Sequence, residues 1–130
     1  MNVLIDAMPA IIQSCPEAKL IIAGKVSKEI SAEWIKSETA NKGVSSNVIL
    51  RLEFIPDSEI QCYYTASDLV MVPYTNISES GVLRYAMTCG RPVLCSDLKE
   101  FSETVVHGKT GFVFRNGDHE DLAKQAITAL

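Results

Sequence analysis

The sequence predicts an α/β fold: a Rossmann-like parallel sheet flanked by helices on both faces. Three observations point there. Short apolar runs of three to five residues, at Lys19–Ala23, Val48–Leu52, Leu69–Val72, Val93–Cys95 and Gly111–Phe114, alternate with helix-patterned stretches. These runs are apolar almost throughout, and the first is bounded by Pro16 and Gly24, as strands buried on both faces are. No repeat and no Gly/Ser/Pro-rich linker interrupts the alternation, and strand–helix alternation is the pattern of βαβ units.

Each element has its own signal. Leu4, Ala7, Met8, Ile11, Ile12 and Cys15 recur at the three-and-four spacing of a helix over residues 2–14, with Pro9 inside it as a local defect. Pro16 then separates this helix from the first strand, which ends at Gly24. Residues 28–42 are polar and helix-prone, with Ser27 as cap, Ile30 and Trp34 on one face and Gly43 as terminator. After the second strand, Pro56 and Asp57 open a short helix carrying Glu59 in its first turn. The third strand, Leu69–Val72, leads into a turn and a helix from Ser80 to Cys89 that Gly90 closes. Arg91-Pro92 introduces the fourth strand, and Asp118 or His119 starts a last helix that runs to the end. The pattern opens inside a helix with no strand before it and stops in mid-helix. The expectation is therefore a single, incomplete Rossmann-like domain over residues 1–130.

Composition narrows the function. The chain has 130 residues, is 47% hydrophobic and 22% charged, and carries a formal net charge of −4. Its Lys and Arg residues are scattered, so no electrostatic footprint for nucleic acid or an anionic membrane emerges. No apolar run approaches the roughly 20 residues a membrane span requires. Asp6 interrupts the amino-terminal apolar run, which lacks a basic leader, so a cytoplasmic location is expected. Cys15, Cys62, Cys89 and Cys95 have no metal or redox spacing, sit in apolar contexts and read as buried, reduced thiols. His107 and His119 have no regular partner spacing. Neither a metal nor a cofactor is called for.

In sheets of this class ligands bind beyond the carboxyl ends of the strands. The turn Thr75-Asn76-Ile77-Ser78-Glu79-Ser80-Gly81 lies there and runs directly into a helix. Small polar residues and a glycine at a helix start expose backbone N–H groups at the positive end of the helix dipole, which suits a diphosphate. Ser78 or Ser80 acting only as a helix cap is the plainer alternative. Glu79 is the only acid in the turn, able to reach a ligand hydroxyl or simply to stand in solvent. Asp68 precedes its strand and so lies at the wrong end for the crevice. The sequence has no nucleophile elbow, no P-loop and no dinucleotide glycine fingerprint. A receiver domain would need an acid at the end of its third strand, where this chain has Val72-Pro73-Tyr74.

An ordered set of segments then becomes recognisable. Ser80-Gly81-Val82, Ala86-Met87-Thr88-Cys89-Gly90-Arg91-Pro92-Val93, Ser96-Asp97, Glu103 through Phe112 and Gly117-Asp118 resemble the carboxyl-terminal domain of group 1 (family four) glycosyltransferases. Cys15 through Leu20, Phe54-Ile55-Pro56 and Tyr64 through Leu69 are similar to the same family. The resemblance covers essentially the whole chain. It implies a GT-B enzyme of two Rossmann-like domains, in which this half holds a UDP- or GDP-sugar donor. Transfer is expected with retention at the anomeric carbon and without a metal. By position, the backbone of Ser80, Gly81 and Val82 would hold the diphosphate, and the loop of Glu53, Phe54 and Ile55 would face the nucleobase.

The departures from the family pattern are specific. Two glutamates separated by seven residues commonly span this turn; the positions here are Ile77 and Tyr85. A variant subgroup carries a Ser-polar-Ser-Gly-Val turn, to which Ser78-Glu79-Ser80-Gly81-Val82 is similar, so Glu79 takes over a sugar contact in that reading. Tyr85 is kept as a donor-side residue by position, and no residue is assigned a catalytic role. The family's domain opens with a strand and a loop bearing an Arg and a Lys for the donor phosphates; this sequence begins after them. The expectations are thus a truncated glycosyltransferase, inactive alone, or a non-catalytic nucleotide- or protein-binding remnant. An exposed sheet edge is expected to support a homodimer.

Overall fold

A computed structural model describes residues 1–76 and 81–130. Six helices and five strands alternate among them: α1 (Asn2–Ser14), β1 (Leu20–Ala23), α2 (Ala32–Asn41), β2 (Val48–Arg51), α3 (Asp57–Ala66), β3 (Val70–Val72), α4 (Gly81–Thr88), β4 (Val93–Ser96), α5 (Lys99–Ser102), β5 (Phe112–Phe114) and α6 (His119–Ala129). A short 3-10 turn, Ser45–Asn47, precedes β2.

Every strand pairing is parallel, but the strands form two ladders rather than one. β1 pairs with β2, Leu20 opposite Val48, in one sheet. β3, β4 and β5 form the other in that order, with Met71 opposite Leu94 and Leu94 opposite Phe112. The α/β reading therefore holds, with the described strands standing as two parallel ladders that share a core.

That core has two layers. Leu4, Ala7, Met8 and Ile11 of α1 pack with Leu122, Ala123 and Ala126 of α6 over Leu20, Leu94 and Phe114. Across β4 a second layer joins Val72, Val93 and Cys95 to Leu83 and Ala86 of α4, with Phe101 and Val105 beyond. All four residues of β4 are buried, so helices cover both of its faces, as its unbroken apolar run required. Gly111 is fixed by close approach: a Cβ there would lie 2.7 Å from the Val93 carbonyl oxygen and 2.9 Å from Val105 Cγ1.

The helix boundaries follow their caps. α6 starts where expected because Asp118 accepts a hydrogen bond from the Asp121 N–H at 2.9 Å. α2 starts later than the expected Ser27 cap, because Ser31 accepts from Trp34 N–H at 3.1 Å and the preceding residues turn instead. Its buried anchors are Ile35 and Thr39; Ile30 and Trp34 are only half-buried. Gly90 closes the α4 segment at φ +67°, a conformation glycine adopts without strain.

Candidate donor-binding edge

The carboxyl ends of the strands carry the candidate site. Beyond β3, Pro73, Tyr74 and Thr75 lead toward α4. Beyond β4 comes Asp97, and beyond β5 come Arg115, Asn116 and Gly117. Hydrogen bonds stitch these loops together. Ser96, fully buried at the end of β4, donates its hydroxyl to the Tyr74 carbonyl at 2.5 Å. Asp97 N–H donates to the Phe114 carbonyl at 2.9 Å, and its carboxylate accepts from Asn116 N–H at 2.9 Å. The Asn116 side-chain amide in turn donates to the Thr75 carbonyl at 3.3 Å. A short polar chain thus fixes three strand ends relative to one another.

Behind these loops lies an open depression of about 330 Å³, lined by Met1, Asn2, Val3 and Asp6 of α1, Pro73, Thr75, Gly117 and His119. It brings the amino ends of α1 and α6 beside the turn that follows β3. Both ends present backbone N–H groups. The terminal amine of Met1 is held below its ordinary pKa by burial.

Of the residues expected from sequence, Gly81 and Val82 form the first turn of α4, which carries no acidic residue. Gly81 is exposed, while Val82 is half-buried against the second core layer. Tyr85, 39% exposed, lies one turn further on and packs against Tyr64 of α3, the rings tilted at 43° with centroids 4.8 Å apart. Burial raises the Tyr64 hydroxyl pKa, with smaller contributions from Tyr74, Cys89 and Tyr85; burial alone raises that of Tyr74. Glu53, Phe54 and Ile55 follow β2. Glu53 pairs with Arg51 at 2.8 Å, Ile55 is half-buried, and Phe54 is 67% exposed, the most exposed large apolar side chain described. Glu79 and Ser80 lie outside the described residues, as do Ile77 and Ser78.

None of Glu53, Phe54, Ile55, Gly81, Val82 or Tyr85 lines the depression. The expected residues therefore stand along one edge of the sheets rather than in one pocket. The sequence reading placed Thr75 in the candidate turn but missed Met1, Asn2, Asn116 and His119 at this edge. The signal available was positional, since each lies at a helix start or just beyond a strand. Among the described residues no cluster of His, Cys, Asp or Glu is arranged to hold a metal ion, and no helix is long and apolar enough to cross a membrane.

Comparison with known proteins identifies the fold's relatives. The family description "Glycosyl transferases group 1" matches residues 1–130. A phosphatidyl-myo-inositol mannosyltransferase of Mycobacterium leprae is 27% identical over 131 residues, which span 100% of this chain and 33% of that protein. A D-inositol 3-phosphate glycosyltransferase of Segniliparus rotundus is 30% identical over 96 residues, 73% of this chain and 21% of the relative. Among solved structures, Anabaena HepE in complex with UDP-glucose superposes with a TM-score of 0.83 at 27% identity, over 98% of this chain and 34% of HepE. The chain thus spans about a third of the length of such relatives. With the family match running from the first residue to the last, the chain belongs to the group 1 glycosyltransferases.

Proposed function

We propose that this chain forms the donor-nucleotide side of a glycosyltransferase that takes its sugar from a UDP- or GDP-sugar. The observation that carries this reading is the whole-chain superposition on HepE, which has been solved with UDP and with UDP-glucose. In this reading the ring of Phe54 stacks on the nucleobase, and the N–H groups of Ser80, Gly81 and Val82 hold the diphosphate at the start of α4. Glu79 meets a sugar hydroxyl, and Tyr85 stands at the position expected beside the ribose. Glu53 and Ile55 shape the loop that presents Phe54. The exposure of Phe54 and the acid-free first turn of α4 support these roles.

The complete reaction would break the bond between the anomeric carbon and the diphosphate and form one to an acceptor oxygen, with configuration retained. Positioning and stabilisation of the departing diphosphate would supply the rate. The protein acts in the cytoplasm in this reading. These 130 residues alone bind donor without turnover, because nothing on this edge is assigned to hold an acceptor.

Calorimetric titration with UDP, UDP-glucose and GDP tests the reading. Binding is expected, weakened about tenfold by Phe54→Ala, the loss of roughly one base–aromatic stack. Thermal stability should be unchanged, since the side chain touches solvent. Absence of heat at millimolar nucleotide would reject donor binding and leave the remnant reading. Nucleotide release above background from any nucleotide sugar would reject inactivity.

A further inference from the structure

Where β3 ends, its backbone passes from the hold of a ladder to the hold of side chains. The β3–β4 pairing closes at Val72 opposite Cys95, and Pro73, which follows, has no N–H to continue it. The next two carbonyls, of Tyr74 and Thr75, still need donors. Each receives one from a different strand end. Buried Ser96, at the end of β4, donates its hydroxyl to the Tyr74 carbonyl at 2.5 Å. Asn116, beyond β5, donates its side-chain amide to the Thr75 carbonyl at 3.3 Å.

Asn116 reaches the furthest. An asparagine in a tight turn ordinarily spends its side chain on its own local backbone. The turn here closes without that help: Asp118 N–H donates to the Arg115 carbonyl at 3.0 Å, with Gly117 at φ +78°. The amide of Asn116 instead crosses 41 residues of sequence to Thr75.

Three further bonds fix where that amide points. Asn116 N–H donates to Asp97 Oδ1 at 2.9 Å, and Asp97 N–H donates to the Phe114 carbonyl at 2.9 Å. Arg115 N–H donates to Asp121 Oδ2 at 2.7 Å, which ties the same loop to α6. Asn116 and Thr75 are both exposed, so the folding of the domain does not rest on their bond. Thr75 begins the turn that runs into α4 at Gly81.

We propose that Asn116 is a positioning residue for donor binding, set by Asp97 and acting through the Thr75 carbonyl on the turn that brings the α4 N–H groups to the diphosphate. This rests on the donor reading above and adds to it a residue from the far side of the sheet that does not itself touch ligand. A backbone held in place before the ligand arrives loses less entropy on binding. With the Thr75 carbonyl left to water, the start of the turn loses that hold. Asp97 serves as a hydrogen-bond acceptor in this chain, and a neutral acceptor of the same shape does the same work.

Amide NMR titrations of the intact chain with UDP and with uridine test the proposal, the Gly81 amide reporting on the diphosphate and the Phe54 amide on the base. In Asn116→Ala the dissociation constant for UDP should rise about fivefold, the net effect of one neutral hydrogen bond, while that for uridine stays within about twofold of the parent. Asp97→Ala should show the same loss, and Asp97→Asn, which keeps an oxygen acceptor, should restore most of the affinity. Combining Asp97→Ala with Asn116→Ala should weaken UDP no further than the worse single variant, because both act through one chain of bonds. Unchanged UDP affinity in Asn116→Ala, or equal weakening of UDP and uridine, overturns the proposal and leaves the donor reading standing. So does an Asp97→Asn variant as weak as Asp97→Ala. A parent chain that binds no UDP at millimolar concentration overturns the donor reading and the proposal with it.

Discussion

Asp121 shows how a single side chain can bind two elements together. Its carboxylate accepts from the backbone N–H of Arg115 at 2.7 Å and from the Gln125 side chain at 3.3 Å, and it lies 3.7 Å from Arg115 Nε. The Arg115 N–H bond, reinforced by Gln125 and the nearby cations, outweighs burial and holds its pKa below the usual carboxylate value. A carboxyl with a lowered pKa in the folded state stabilises the fold above its unfolded pKa, about 4, and loses that contribution as pH falls through the folded value. Asp121→Asn is therefore expected to melt below the parent at pH 7. The gap should close as the pH drops from about 5 toward 3 in a series of thermal melts. A gap constant over that range would mean that the charge contributes nothing. The sequence put Asp121 in the first turn of a helix; that its partner is the chain leaving β5 follows only from the packing of α6 against β5.

Among the elements, α1 tests how far packing overrides local preference. Its interior Pro9 lacks the N–H that would bond the Ile5 carbonyl, and such a proline costs up to about 3 kcal/mol. The helix nevertheless runs unbroken from Asn2 to Ser14, because Leu4, Ile5, Ala7, Met8 and Ile11 are buried, largely against α6 and β1. Pro9 itself is exposed. Pro9→Ala should restore the bond and raise stability by about 2 kcal/mol, less a few tenths for the freer unfolded chain, as read from the urea midpoint. No gain would show that the helix has already relaxed around the ring. α2 makes the complementary point. Ser27 and Ser31 are equally good caps by residue type, and the structure uses Ser31, which sets the register that buries Ile35 and Thr39.

Over the whole molecule, burial separates the cysteines into different chemical classes. Cys95 is fully buried in β4, its Sγ donates to the Phe112 carbonyl at 3.7 Å, and burial pushes its thiol up to about 11. The expected burial of all four thiols is corrected here: Cys15 and Cys89 are half-buried, and Cys62 is exposed because α3 buries none of its residues. With an alkylating reagent at pH 8, Cys62 should react at once and Cys95 only as fast as the whole domain opens. Mass spectrometry over increasing urea reads both, and early Cys95 labelling would show that the β3–β4–β5 sheet opens locally. The sequence by itself determined the alternation of strands and helices, the parallel α/β class, most helix ends and the family, because these rest on short-range patterns: runs bounded by Gly24 or Pro92, a cap at Asp118, a glycine at position 90. Only the tertiary structure decided that the strands stand as two ladders, that Phe54 is exposed while Tyr85 packs against Tyr64, and that the amino ends of α1 and α6 meet beside Thr75. Those facts depend on which residues far apart in the chain come to lie beside one another, and pairings of that kind are settled by the packing of the whole core, which no local pattern encodes.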